Sequence, residues 1–257
     1  MSTLDKSCRI IALFNQAGGV GKTTLTMNLG YHLSLRGQRV LLIDMDPQGS
    51  LSIFMGSIPE ELPATLYEAV VDEKPLYIVE NFQRMDLAPT NQDLRIAEMQ
   101  LVSAELRDFR LKNAIEPIKE EYDFILIDCP PSLGILSYIS LVAATHILVP
   151  VQTQFKAFEG TNLLLETYAR VRTRVNRQLK LAGFVPTIYA AQNSQDVRAL
   201  AAINEQLSPE GKVFPPIPRA TAFADASENR VPLAVYNSKH PAVAVLDEIG
   251  QSLEEIE

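Results

Sequence analysis

The sequence predicts an α/β fold: a doubly wound, mostly parallel sheet with helices on both faces, in one domain spanning residues 1–257. Three observations predict it. Apolar runs rich in β-branched residues recur at 10–14, 40–43, 124–127, 147–151 and 181–188, with helix-length stretches between most of them. A glycine-rich loop joins the first run to a helical pattern, and acidic residues close the second and third runs. A chain of 257 residues, 47% hydrophobic and 21% charged, is ample for one large α/β domain and short for two.

The first run leads into NQAGGVGKTT, residues 15–24, and a helical pattern over 23–35. Gly18, Gly19 and Gly21 let backbone N–H groups converge on an anion without Cβ clashes, and the helix N-terminus adds partial positive charge. Gly18, Gly19, Val20, Gly21, Lys22, Thr23 and Thr24 are therefore the expected nucleotide cradle. Lys22 would meet the β- and γ-phosphates, and the Thr23 hydroxyl would ligate Mg²⁺. The usual loop has a glycine, four intervening residues and then Gly-Lys; that first position is Gln16 here.

The second run ends in Asp44-Met45-Asp46-Pro47-Gln48-Gly49. Two carboxylates one residue apart at a strand's carboxyl end leave one for a metal site and one to orient an attacking water. We expect Asp46 to position the water and Asp44 to sit in the metal shell or act as a switch residue. The stretch 50–92, with Pro59, Pro63, Pro75 and Pro89, is the least patterned and reads as loops, short helices and one peripheral strand. The third run closes on Asp128-Cys129-Pro130-Pro131, where Asp128 would hold Mg²⁺ through a water, since this ion dehydrates reluctantly. Nucleotide should lie at the carboxyl ends of the strands.

Residues 17–23, Ala-Gly-Gly-Val-Gly-Lys-Thr, resemble the deviant Walker A box of the ParA/MinD ATPases, Lys-Gly-Gly-x-Gly-Lys-Thr, at every position except the first. The resemblance extends to DMDPQG at 44–49, MDLAPTNQDLRIAEMQL at 85–101, VPVQTQFKAFEG at 149–160, FVPTIYAAQNSQ at 184–195 and IPRATAFADASENRVPL at 217–233. It implies a P-loop NTPase fold, Mg²⁺-dependent ATP hydrolysis and an ATP-dependent homodimer, with Pro186, Thr187 and Pro218 on the adenine side. In that family the box lysine reaches the partner's phosphates. Ala17 cannot, and Lys156 is the expected substitute, since one uncompensated charge in a buried interface costs about 3–5 kcal/mol. Loss of the box lysine resembles the carboxysome-positioning McdA branch; a plasmid or chromosome partition ParA is the alternative.

The net charge of −8 argues against a constitutively basic nucleic-acid binder, so DNA contact must come from a local patch. Helical spacing places Arg170, Arg174 and Arg177 on one face, and Arg198, Arg219 and Arg230 follow. The expected partners are nonspecific double-stranded DNA, a second copy and an adaptor that links to cargo. Neither a signal peptide nor an apolar run of ~18 residues is apparent, and the tail at 247–257 is acidic, so a cytoplasmic, nucleoid-associated protein without membrane attachment is expected. Two cysteines at strand edges read as buried free thiols, and three scattered histidines offer no metal spacing. A metabolic P-loop enzyme of ligase type is the reading from a different class; a reductase with a bridging iron–sulfur cluster lacks the paired cysteines.

Overall fold

The computed structural model describes residues 8–58, 61–154 and 157–256, with the backbone alone at 157–160. Seven strands form one sheet: β1 (Arg9–Leu13), β2 (Val40–Asp44), β3 (Val79–Phe82), β4 (Met85–Ala88), β5 (Phe124–Asp128), β6 (His146–Gln152) and β7 (Lys180–Thr187). Their spatial order is β3-β4-β2-β5-β1-β6-β7, parallel throughout except for the β3–β4 hairpin at one edge. The central strands are buried on both faces, which is why they read as continuous apolar runs.

Strand side chains alternate between two cores. Ala12, Phe14, Ile43, Ile127 and Val149 face one side, covered by α3 (Leu66–Val70), α4 (Leu94–Leu101), α5 (Arg110–Ile115), α6 (Ile135–Ala143), α7 (Ala157–Arg174) and α8 (Ser194–Leu207). Ile11, Leu13, Leu42, Leu126 and Leu148 face the other, covered by α1 (Lys22–Leu35), α2 (Ser50–Phe54), α9 (Ala222–Glu228), α10 (Leu233–Tyr236) and α11 (Pro241–Glu254). α1 lies close on the sheet because Gly30 has no side chain there; a Cβ would come within 2.7 Å of Leu42 Cδ2. The strand order reverses beside β1, which opens a crevice at the carboxyl ends where the glycine-rich loop sits.

The expected fold is borne out, with corrections at its edges. Residues 79–88 form two strands where one was expected. Their two-residue turn is Gln83-Arg84, with φ of 49° and 67°, so left-handed backbone occurs without the glycine that would announce it. Arg177 lies outside α7, which stops at Arg174, so it does not share a helix face with Arg170 and Arg174. Of the thiols, Cys129 is buried but Cys8 only half-buried; both are free and burial pushes each up to about 12.

Candidate functional site

The loop between β1 and α1 is held from both sides. Asn15 Nδ2 donates to the Pro150 carbonyl at 2.7 Å while its Oδ1 accepts from the Ala17 amide at 2.9 Å. From β7, the Thr187 hydroxyl donates to the Val20 carbonyl at 2.9 Å. Gly21 caps α1 at φ 88°, a backbone that a side chain would strain, and no side chain caps the first turn. The orphan N–H groups of that turn form a ready anion seat. Lys22 is buried, and its ammonium donates to the carbonyls of Asn15 at 2.9 Å and Ala17 at 3.0 Å. Burial lowers its pKa, and the charge of Asp128 pulls the other way.

Two carboxylates lie side by side across the sheet, because Asp44 and Asp128 are register partners at the ends of β2 and β5. They differ in their bonds. Asp44 Oδ2 accepts from the Ser52 amide at 2.8 Å and the Ser52 hydroxyl at 2.7 Å, and Oδ1 accepts from the Asp46 amide at 3.3 Å. Complete burial lifts Asp44 to about 7 despite the Ser52 bonds. Asp44 thus fastens α2 to β2 at the end of the strand, beside Asp128. Among the described residues, neither buried oxygen of Asp128 has a hydrogen-bond partner. Burial, and then the charge of Asp44, raise it well above the carboxylate range; Thr23 and Lys22 oppose this, although no hydrogen bond closes from Thr23. An unpartnered buried carboxylate beside a threonine hydroxyl and a phosphate loop fits Mg²⁺, which takes one or two protein ligands and completes its shell with phosphate and water.

Asp46, half-buried, directs Oδ1 to the Gln48 amide at 3.0 Å in an Asx turn, at the start of the segment that carries α2. Beside the loop opens a cavity of about 720 Å³, nucleoside-sized and mostly apolar. Gly19, Gly21 and Thr24 form its floor, Ile53 and Phe54 of α2 one wall, and Pro218, Arg219 and Phe223 another. Thr187 lines it as expected, but Pro186 does not: it is buried in β7, and its carbonyl accepts from Ile217 at 2.8 Å. Ile188 takes that place at φ 58°, an outlier for a β-branched residue. Asn15, Ser52, Ile53, Phe54, Ile188 and Phe223 were not singled out in the sequence, although Asn15 falls in the loop segment and Ile188 and Phe223 fall in the segments 184–195 and 217–233 that carry the family resemblance.

Of the expected DNA residues, Arg219 and Arg230 are exposed and also line the rim of this cavity. Arg219 Nη2 lies 3.8 Å from buried Asp196, and Arg230 packs against Gly56. Arg198 is exposed on α8, whose start follows the carboxyl end of β7. Arg170 and Arg174 are exposed at the far end of α7, where the chain turns back into the amino end of β7. Lys156 lies outside the described residues.

A family model described as AAA domain matches residues 8–181. The chromosome partitioning protein ParA of Caulobacter vibrioides is 36% identical over 237 residues, 90% of this chain and 88% of that protein. The chain belongs to the ParA/MinD-like P-loop family. Among solved structures of similar fold, cobyrinic acid a,c-diamide synthase from Mycobacterium smegmatis, with bound ADP and magnesium, is 33% identical with a TM-score of 0.85, covering 96% of this chain and 94% of that one. Apo McdA from Cyanothece is 25% identical with a TM-score of 0.87, covering 96% and 99%. No helix among the described residues is long and apolar enough to cross a membrane.

Proposed function

We propose that this chain is a Mg²⁺-dependent ATP hydrolase that pairs with a second copy when ATP is bound, holds duplex DNA without sequence preference, and positions or segregates a cargo. The observation that carries the chemistry is Asp128, buried and unpaired, beside Lys22 and Thr23 at the start of α1.

Thr23 and, through a water, Asp128 would hold Mg²⁺, which supplies charge neutralisation at the β- and γ-phosphates. Lys22 exchanges the carbonyls of Asn15 and Ala17 for phosphate oxygens, so its cost of burial is offset on binding. Backbone N–H groups from Gly18 to Thr24 cradle the phosphates. Asp46 orients the attacking water, and its backbone position is fixed by the neighbouring Asp44–Ser52 anchor. Thr187, Ile188, Pro218 and Phe223 hold the nucleoside in a largely dry cleft. Lys156 supplies the charge across the dimer that Ala17 cannot.

DNA contact is proposed for Arg198 and the exposed part of Arg230, near the carboxyl-end face that a second copy would meet. Pairing through that face doubles the cationic surface, so ATP gates a salt-sensitive affinity. The protein would act in the cytoplasm on the nucleoid, with an adaptor stimulating hydrolysis. Ala17 supports a carboxysome cargo. A chromosome or plasmid partition complex is the second reading, supported by 36% identity to a partitioning ParA against 25% to McdA.

Sizing Asp46→Ala with and without ATP and a duplex of arbitrary sequence tests this reading. It expects a dimer that retains DNA only with ATP. A protein that stays monomeric and ignores DNA would instead support a metabolic enzyme, the class named by the similar structure from M. smegmatis.

A further inference from the structure

The far end of α7 carries a site that the nucleotide chemistry does not use. Tyr168, Ala169, Arg172, Thr173 and Arg177 line a cavity of about 440 Å³. Arg172 sits over the Tyr168 ring, its guanidinium carbon 6.0 Å from the centroid and Nη1 3.5 Å from the hydroxyl. Arg177 enters from the turn after the helix. That turn is tied down by Asn176 Nδ2, which donates to the carbonyls of Leu141, Val142 and Ala144. Arg172 and Arg177 therefore stand on supports that do not depend on each other.

Its position separates this pocket from nucleotide and dimer. Lys180 pairs with His146 at the amino ends of β7 and β6, whereas the glycine-rich loop lies at the carboxyl ends. Seven residues of β6 put roughly 20 Å between the two ends. Pairing of two copies through their nucleotide faces leaves this pocket exposed and does not merge two of them.

We propose that the Tyr168–Arg172–Arg177 pocket docks an acidic side chain of a peptide partner, independently of nucleotide. Three features favour a peptide carboxylate. The surface is a shallow, open depression lined by five residues, of side-chain size, whereas a duplex presents a wide ridge of phosphates. Its cations are both arginines, whose planar forks match carboxylate in pairs. Tyr168 and Ala169 supply an apolar wall for the methylenes that carry such a group. The chain's own charge of −8 makes this local basic concavity the more selective for acidic sequences that the rest of the surface repels.

The test is fluorescence anisotropy of a fluorescein-labelled octapeptide of alternating glutamate and glycine, at low salt and without ATP. Saturable binding is expected, weakened about tenfold or more by Arg172→Lys with Arg177→Lys, which keeps the charge but removes the forks. Arg170→Ala with Arg174→Ala should leave it unchanged, and a labelled 20-base-pair duplex with ATP should bind the lysine variant as it binds wild type. No saturable peptide binding, or full binding by the lysine variant, overturns the proposal. Loss of duplex binding in that variant does so too, and gives the pocket to nucleic acid. Unchanged thermal unfolding of both variants excludes misfolding as the cause.

Discussion

Replacing Ser52 with alanine should cost more than any single hydroxyl on the surface. Ser52 is fully buried; its Oγ donates to Asp44 at 2.7 Å and accepts from the Thr90 amide at 3.0 Å. A hydrogen bond to a charged group contributes about 1.5–3 kcal/mol, and a buried amide left unpaired costs about 1–3 kcal/mol. Because both losses share one site, simple addition is not justified, and ~3 kcal/mol is a fair working value. In a chain of this size each kcal/mol moves Tm by about 2–4 °C, so a fall of roughly 6–12 °C is expected. Turnover should fall as well, since α2 carries Ile53 and Phe54 into the cavity and follows Asp46 directly. Urea unfolding and calorimetry of Ser52→Ala, beside a steady-state phosphate-release assay, measure both. A stability change below about 0.5 kcal/mol, the range of inert surface substitutions, would refute the claim that Asp44 anchors α2 through Ser52.

Three further outcomes follow. Asp44 has a folded pKa of about 7 against an ordinary 3.8, so the folded state holds more protons than the unfolded chain between those values. The contribution of Asp44 to the stability of nucleotide-free protein should therefore shrink as pH rises from about 4 towards 7, with Asp128 acting in the same direction and His32, whose pKa burial lowers, in the opposite one. Denaturant melts in which wild type loses no more stability than Asp44→Asn across that range would contradict it. Asp46→Ala should keep ATP affinity within about threefold while losing at least tenfold in turnover, since it removes water positioning and leaves Lys22, Thr23 and Asp128 intact. Lys156→Ala in the Asp46→Ala background should fold and bind ATP yet fail to dimerise with ATP and Mg²⁺; a stable dimer in light scattering would return Lys156 to an ordinary solvated lysine.

What was legible in the sequence was local chemistry. The loop, Lys22 and the start of α1 are contiguous, and an acidic residue closing an apolar run is visible without knowing what packs against it. The bond of Asp44 to Ser52 was not, because Ser52 stands eight residues on and meets it only when α2 folds back over the end of β2. The wall from α2 hid for the same reason: Ile53 and Phe54 look like core residues, whereas Ile188 and Phe223 lie in segments that the family resemblance already covered. Arg177 was misplaced because helical spacing was carried three residues past the true end of α7. The β3–β4 hairpin was half missed because glutamine and arginine take the left-handed turn positions that glycine usually marks.

Titration calorimetry of MgATP into wild type and Lys22→Ala, paired with phosphate release, tests the central claim most directly. Wild type should bind ATP and release phosphate only when Mg²⁺ is present. Lys22→Ala should lose both, because the backbone cradle alone does not balance a triphosphate's charge. Equal ATP affinity in the two proteins, or no ATP binding by wild type, would contradict the account.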